Sequence, residues 1–212
     1  MAAVSRLTRW LAGVGGSAPA AAAGPDVGED WRLWRRAGEG DGDAATKLVR
    51  RLTPQAHGLA LRMLGRPEDA EDVVQDAFAR LWRSAPTDDR GASLATYFNT
   101  IVINRCRSLL AGRRELATDQ DVLTELQDAA QRDRGGPPSS EPVADPAAGS
   151  RRLDEALARL PVRQRMAIVM WAWADASVAD IARHLDVDPG AAHQLLHRAK
   201  TALRRHLPGE EG

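Results

Sequence analysis

The stretch Ser177 to His206, SVADIARHLDVDPGAAHQLLHRAKTALRRH, decides how this chain is read. Val178, Ile181, Ala182 and Leu185 share one helical face. Beyond a break at Asp186-Val187-Asp188, Ala192, Leu196, Ala199 and Leu203 share another. Apolar residues at these spacings give each of two short helices a stripe to bury. Asp188 suits the cap of the second helix and Pro189 its first position, where a missing N–H costs nothing. The pattern predicts a helix-turn-helix, whose second helix enters the DNA major groove with polar side chains near its start and cations for phosphates. His193, Gln194, His197 and Arg198 mark the base-facing set, and Lys200, Arg204 and Arg205 the phosphate set. A helical hairpin packed only for its own core stays open as the alternative.

Working outward, helices are expected at Arg151 to Arg159 and Pro161 to Trp173, giving a C-terminal domain over 151–207 and a tail over 208–212. Trp171 and Trp173 lie on neighbouring faces, so one belongs to the core and the other to a surface that a partner can cover. Residues 115–150 are acidic and then rich in Gly, Pro, Ser and Ala, with too little apolar material to repay ordering. They read as a flexible linker.

A second domain is expected over 29–114, with Trp31, Leu33 and Trp34 packing on the helices after them. Asp43 is read as the cap of a helix carrying Ala44, Leu48, Val49 and Leu52, and Pro54 as the start of another that runs to Gly65, so that the two form a hairpin. From Pro67, the residues Ala70, Val73, Val74, Ala77, Phe78 and Leu81 make the strongest stripe in the chain. Acids at its start and Arg80 and Arg83 at its end match the helix dipole. Ser84 to Gly91 reads as a loop. Ser93 can cap a last helix whose stripe is Leu94, Phe98, Ile101, Val102, Cys106, Leu109 and Leu110. The fold class is therefore all-α, in two helical domains.

Composition agrees with this division. The formal charge is zero, with 29 cations and 29 anions. It divides into +1 over 1–28, +3 over 29–114, −6 over 115–150, +4 over 151–207 and −2 over 208–212, the block pattern of two mildly basic domains and a solvated connector. The single Cys106 excludes an internal disulfide and suits a reducing compartment. Residues 1–28 hold Arg6 and Arg9 before a short apolar run broken by Gly13, Gly15 and Gly16, and read as a disordered extension rather than a secretory signal. The chain has no P-loop, dinucleotide-binding turn or nucleophile elbow, so no catalysis, cofactor or small-molecule substrate is expected. His193 and His197 stand four apart but lack nearby Cys or an obvious third ligand, so no metal site is expected either.

Two stretches, Gly42 to Trp82 and Leu153 to Leu207, resemble regions 2 and 4 of the extracytoplasmic-function sigma factors, bacterial subunits that direct RNA polymerase to promoters. The resemblance implies that region 2 docks on core polymerase and opens the minus-ten element, and that region 4 reads the minus-thirty-five element. It also implies an anti-sigma factor as partner, a cytoplasmic location and contact with membranes only through that partner. Carried onto this chain, the docking residues are Asp69, Asp72, Gln75 and Asp76. The minus-ten residues are Trp82, Arg83, Arg90, Tyr97, Asn104, Arg105 and Arg107, and the minus-thirty-five residues are Gly190, Ala191, His193, Gln194, His197, Arg198 and Lys200. A solvated acidic face and a core tryptophan would explain the first helix equally well. Where many members carry Thr-Val-Lys-Ser-Arg, this chain has Ala191-Ala192-His193-Gln194-Leu195, which implies lost cations on the groove-facing segment. Asp175-Ala176 lacks the family's usual Gly. A sigma-like decoy and a stand-alone helix-turn-helix regulator remain the alternatives.

Overall fold

The computed structural model describes residues 27–88, 92–113 and 146–207. Among them are helices and no strands: α1 (Val27–Gly38), α2 (Gly42–Leu64), α3 (Pro67–Ser84), α4 (Leu94–Gly112), α5 (Pro146–Ala158), α6 (Val162–Trp173), α7 (Val178–Leu185) and α8 (Pro189–His206). Residues 1–26 of the expected extension, most of the linker, the tail and Arg90 lie outside the described residues, and α1 begins at Val27, inside the stretch expected to be extension. α5 begins at Pro146, inside the stretch expected to be linker.

α2 corrects the expected hairpin, because it runs unbroken through Pro54. Pro54 has no N–H for the carbonyl of Arg50, a break that would ordinarily end a helix. Here Leu48, Leu52, Ala56, Leu59, Ala60 and Met63 keep one phase across it, all of them buried, and burial of that stripe outweighs the missing bond. The cap is Asp41 rather than Asp43: Asp41 Oδ1 accepts the Ala44 N–H at 2.9 Å. That bond and the Arg36 guanidinium hold the Asp41 carboxyl below the usual carboxylate range. Gly65, left-handed at φ 74°, ends the helix by donating its N–H to Leu61 O at 2.7 Å.

α1 to α4 pack as a bundle around Leu48, Leu59, Met63, Leu81, Leu94, Phe98 and Leu110. Phe78 and Phe98 meet at 4.4 Å between ring centres. The Cys106 thiol is fully buried, and burial pushes its pKa up to about 12, so it is an inert part of this core. In the C-terminal half α6 is buried on nearly every side, from Gln164 to Met170 and again at Ala172 and Trp173. It is covered by α8 and α7 on one side and by α2 on the other.

The two halves touch at defined points. Arg165 of α6 donates its Nε–H to the carbonyl of Met63 at 3.1 Å, a buried contact that supplies a cationic cap to the C-terminus of α2. Arg62 pairs with Asp154 at 3.2 Å and lies over the Trp173 ring at 4.8 Å. His184 Nδ1 stands 3.0 Å from Asn104 Oδ1. No helix among the described residues is long and apolar enough to cross a membrane.

Candidate nucleic-acid and polymerase interface

The helix-turn-helix is held by short-range chemistry. Ser177 and Asp180 form a reciprocal capping box at the start of α7, in which Ser177 Oγ accepts the Asp180 N–H at 3.1 Å. The Asp180 carboxylate accepts from the Ser177 hydroxyl at 2.6 Å and from its N–H at 3.0 Å. These bonds hold its pKa down, the hydroxyl contributing most and Arg183 adding charge. Asp188 Oδ1 caps α8 from the Ala191 N–H at 2.9 Å. A Cβ at Gly190 would meet that same carboxylate oxygen at 2.9 Å, so the glycine leaves room for the cap. The residue standing where the family usually has Gly is Asp175, and it adopts the left-handed conformation at φ 50° that glycine takes most easily. The turn geometry is kept; an aspartate, among the more tolerant non-glycine residues there, supplies it.

On α8, His193, Gln194 and His197 are exposed together, with Arg198 half-buried beside them and its guanidinium 3.4 Å from Gln194 Oε1. Ala191 is half-buried at the edge of this face. One expectation is corrected: Leu195 does not belong to the groove-facing segment. It is only 6% exposed and joins Ala192, Leu196, Ala199 and Leu203 in the core. Its departure from the family pattern adds core packing at that position. Lys200 is half-buried, with its ammonium 3.7 Å from the centre of the Trp171 ring. The surface tryptophan of α6 is thus covered by a side chain of this chain, while Trp173 is core. Arg204 and Arg205 are exposed at the end of α8. Among the described residues no group of three metal-ligating side chains is assembled.

In the N-terminal half the expected docking set divides in two. Asp72 and Gln75 are exposed on α3. Asp69 is largely covered and held by both Nη atoms of Arg113, at 2.5 and 2.7 Å. Those hydrogen bonds keep its carboxyl below the usual range. Asp76 accepts from Arg105 at 2.6 and 2.8 Å across an exposed edge, a pair worth up to about 1 kcal/mol. One expected polymerase contact and one expected DNA contact are therefore bound to each other.

The expected minus-ten residues also separate. Arg105 faces α3, whereas Asn104, one residue earlier, faces α7 and pairs with His184. Tyr97 and Arg107 are half-buried on the Asn104 side of α4. Arg83 is exposed, and its Nε–H donates to Ala79 O at 3.1 Å. Trp82 is 37% exposed, the large hydrophobic side chain most open to solvent among the described residues. It is stacked on Trp34 with ring centres 4.6 Å apart and planes at 22°. It is thus partly packed on Trp34 and partly open to solvent.

Sequence reasoning placed Trp31 and Trp34 in the core and missed what their N–H groups do. Trp31 Nε1–H donates to Ala92 O at 3.1 Å and Trp34 Nε1–H to Pro86 O at 3.0 Å, bonds each worth about 1 kcal/mol net. The available signal was six tryptophans against one tyrosine and two phenylalanines, since an indole carries a donor that a buried phenyl lacks.

A capped helix-turn-helix with an open polar face, joined to a bundle with an acidic flank and an exposed indole, defines a two-part helical DNA-binding protein. Comparison with known proteins carries this further. The sigma-70 region 2 model matches residues 48–115, and the sigma-70 region 4 model matches residues 150–203. The ECF RNA polymerase sigma factor SigM of Mycobacterium tuberculosis is 34% identical over 171 residues, 79% of each chain. The RNA polymerase sigma factor CarQ of Myxococcus xanthus is 28% identical over 80% of this chain and 92% of its own. In fold, the chain is similar to the sigma factor RpoE of Bartonella quintana, solved in complex with the anti-sigma factor NepR. The TM-score is 0.53 at 22% identity, covering 78% of this chain and 98% of that one. The chain belongs to the extracytoplasmic-function sigma factors of the sigma-70 family, and its function is that of an RNA polymerase sigma factor.

Proposed function

We propose that this sigma factor divides its work between the two faces described above. Asp72 and Gln75, open on α3, contact core polymerase, while Asp69 and Asp76 order the α3–α4 pair through Arg113 and Arg105 and Asp76 adds a peripheral contact. Trp82, Arg83, Tyr97, Asn104, Arg105 and Arg107 form the minus-ten surface, together with Arg90. An unstacked base needs a flat partner next to cations, which the indole of Trp82 beside Arg83 supplies. Ala191, His193, Gln194, His197 and Arg198 read the minus-thirty-five element, with Gly190 admitting the helix cap and Lys200 close to the backbone.

The observation that carries this reading is the exposed run His193, Gln194 and His197 on a helix capped at its start. A decoy that never touched DNA would not need it. Imidazoles and an amide in place of the family's lysine and arginine lower nonspecific phosphate attraction and leave base-edge hydrogen bonding. The protein acts in the cytoplasm with no cofactor or small-molecule substrate, and an anti-sigma factor partners it as NepR partners the Bartonella protein. Any membrane contact comes through that factor.

A reconstituted run-off assay with core polymerase and the DNA upstream of the chain's own gene tests the whole reading. Promoter-dependent transcripts are expected, and their absence with polymerase bound would establish the decoy. Asp72→Lys should weaken core association at least about ten-fold by charge reversal at the docking face. Unchanged association would remove α3 from the polymerase interface. Stable, specific DNA binding without polymerase would favour a stand-alone regulator.

A further inference from the structure

The loop between α3 and α4 is held at both ends by a helix far from it in sequence. Trp31 and Trp34 sit one turn apart on α1, and their N–H groups bond Ala92 O and Pro86 O. Those two carbonyls lie on either side of residues 89–91, which are outside the described residues. Trp34 also forms the stack under Trp82, so one side chain fixes the start of the loop and the open indole together. The first loop residue needs such a restraint. Ala85 is left-handed at φ 39° and ψ 59°, costly for a residue with a Cβ and doubly so before a proline. Strained backbone of this kind persists only where its surroundings over-determine it.

α1 is itself anchored. Asp30, 7% exposed, accepts from Arg51 Nε of α2 at 2.8 Å, with Glu29 3.4 Å from the same guanidinium. The chain of contacts runs from α2 through Asp30 to the two indoles and on to the loop. α1 lies upstream of the region 2 match, which begins at residue 48.

We infer that α1 is a working part of the minus-ten reader, with Trp31 and Trp34 as positioning residues. They hold Pro86, Ala92 and the face of Trp82, and so set which base the opened strand can seat against that indole. The inference rests on the proposed role of Trp82. A binding face held in place before its ligand arrives discriminates better than one that is arranged on contact.

Replacing both indoles by phenyl rings, Trp31→Phe with Trp34→Phe, keeps the aromatic packing and removes the two donors. The full chain, with core polymerase, transcribes a library of its own upstream DNA in which the minus-ten element is randomised, and the transcripts are sequenced. The preference between best and worst base at the most selective minus-ten position should fall about ten-fold, below the ceiling of about thirty-fold set by two hydrogen bonds. Core affinity and selectivity at the minus-thirty-five element should hold. Asp30→Ala, acting through Arg51, should move the preference the same way by about three-fold. Trp82→Ala separates the positioning role from the role of Trp82 itself. If it abolishes the preference while the double phenylalanine variant keeps it, the positioning role is overturned and the Trp82 reading stands. If Trp82→Ala leaves the preference intact, the Trp82 reading falls and the inference with it. A uniform loss of transcript from the double variant with preference unchanged also overturns the inference, because a purely structural role gives that result.

Discussion

The two proposed reading surfaces of this protein are held in opposite ways. The recognition helix α8 is set by its neighbours: Asp188 caps it three residues before Ala191, and the Ser177–Asp180 box fixes the helix before it. The surface around Trp82 is set from a distance, through Trp34 and Trp31 acting on carbonyls 52 and 61 residues away. A helix that enters a groove as a rigid rod needs its end defined, and local caps suffice for that. An indole proposed to seat an unstacked base lies at the end of a helix, next to a loop, and is held there by contacts from a helix far away in sequence.

The contrast can be broken at three places. The largest effect is expected from Leu195→Arg, which restores the residue many relatives carry. Because Leu195 is core, the change should destabilise the C-terminal half by about 2–3 kcal/mol through a buried, poorly paired charge. Urea unfolding followed by circular dichroism would measure it. A gain in affinity for minus-thirty-five DNA without loss of stability would return Leu195 to the groove-facing surface. Next, Asp188→Ala should cost about 1 kcal/mol and weaken minus-thirty-five binding. The fluorescence of the Trp34–Trp82 pair should not change, because the cap acts only on its own helix.

The smallest effect concerns pH. Burial lowers the His184 pKa, helped by Arg183 and Arg107 and opposed by Asp180. A histidine whose folded pKa lies below its unfolded value contributes stability in full above about pH 6.5, and loses it as pH falls through that value toward the folded pKa. The Asn104–His184 contact should therefore loosen on acidification from about pH 7.5 to about pH 5.5, a range that spans the ordinary histidine pKa. A distance probe pair on α4 and α7 would report this, and His184→Gln should flatten the response.

The same contrast explains what was legible in the sequence. Ser93, Asp188 and Pro189 were readable because a cap or first helical position and the N–H it serves lie within three residues of each other; the Ser177–Asp180 box has the same short span and went unread. Pro54 misled because a proline's local cost is visible in sequence, whereas the burial that overrides it along α2 is a tertiary fact. Leu195 misled differently: alignment to the family put it toward DNA, although its spacing from Ala192, Leu196 and Ala199 already gave the phase of the core stripe. Among the expected site residues, the open face of α8 and the exposure of Asp72 and Gln75 follow from helical phase. The pairing of Asp76 with Arg105, and of Asn104 with His184, joins residues 29 and 80 positions apart, and no local pattern encodes it.

The contact between Asn104 and His184 also sets a geometric condition on how the protein is used. The minus-ten and minus-thirty-five elements lie roughly 25 base pairs apart, or about 80 Å of duplex at about 3.4 Å per pair. Asn104 of the proposed minus-ten set is held 3.0 Å from His184 on the helix before α8, so this contact is a latch between the two halves. If both marks are read together only when the latch is released, the free energy of releasing it would be subtracted from the apparent affinity of every promoter alike.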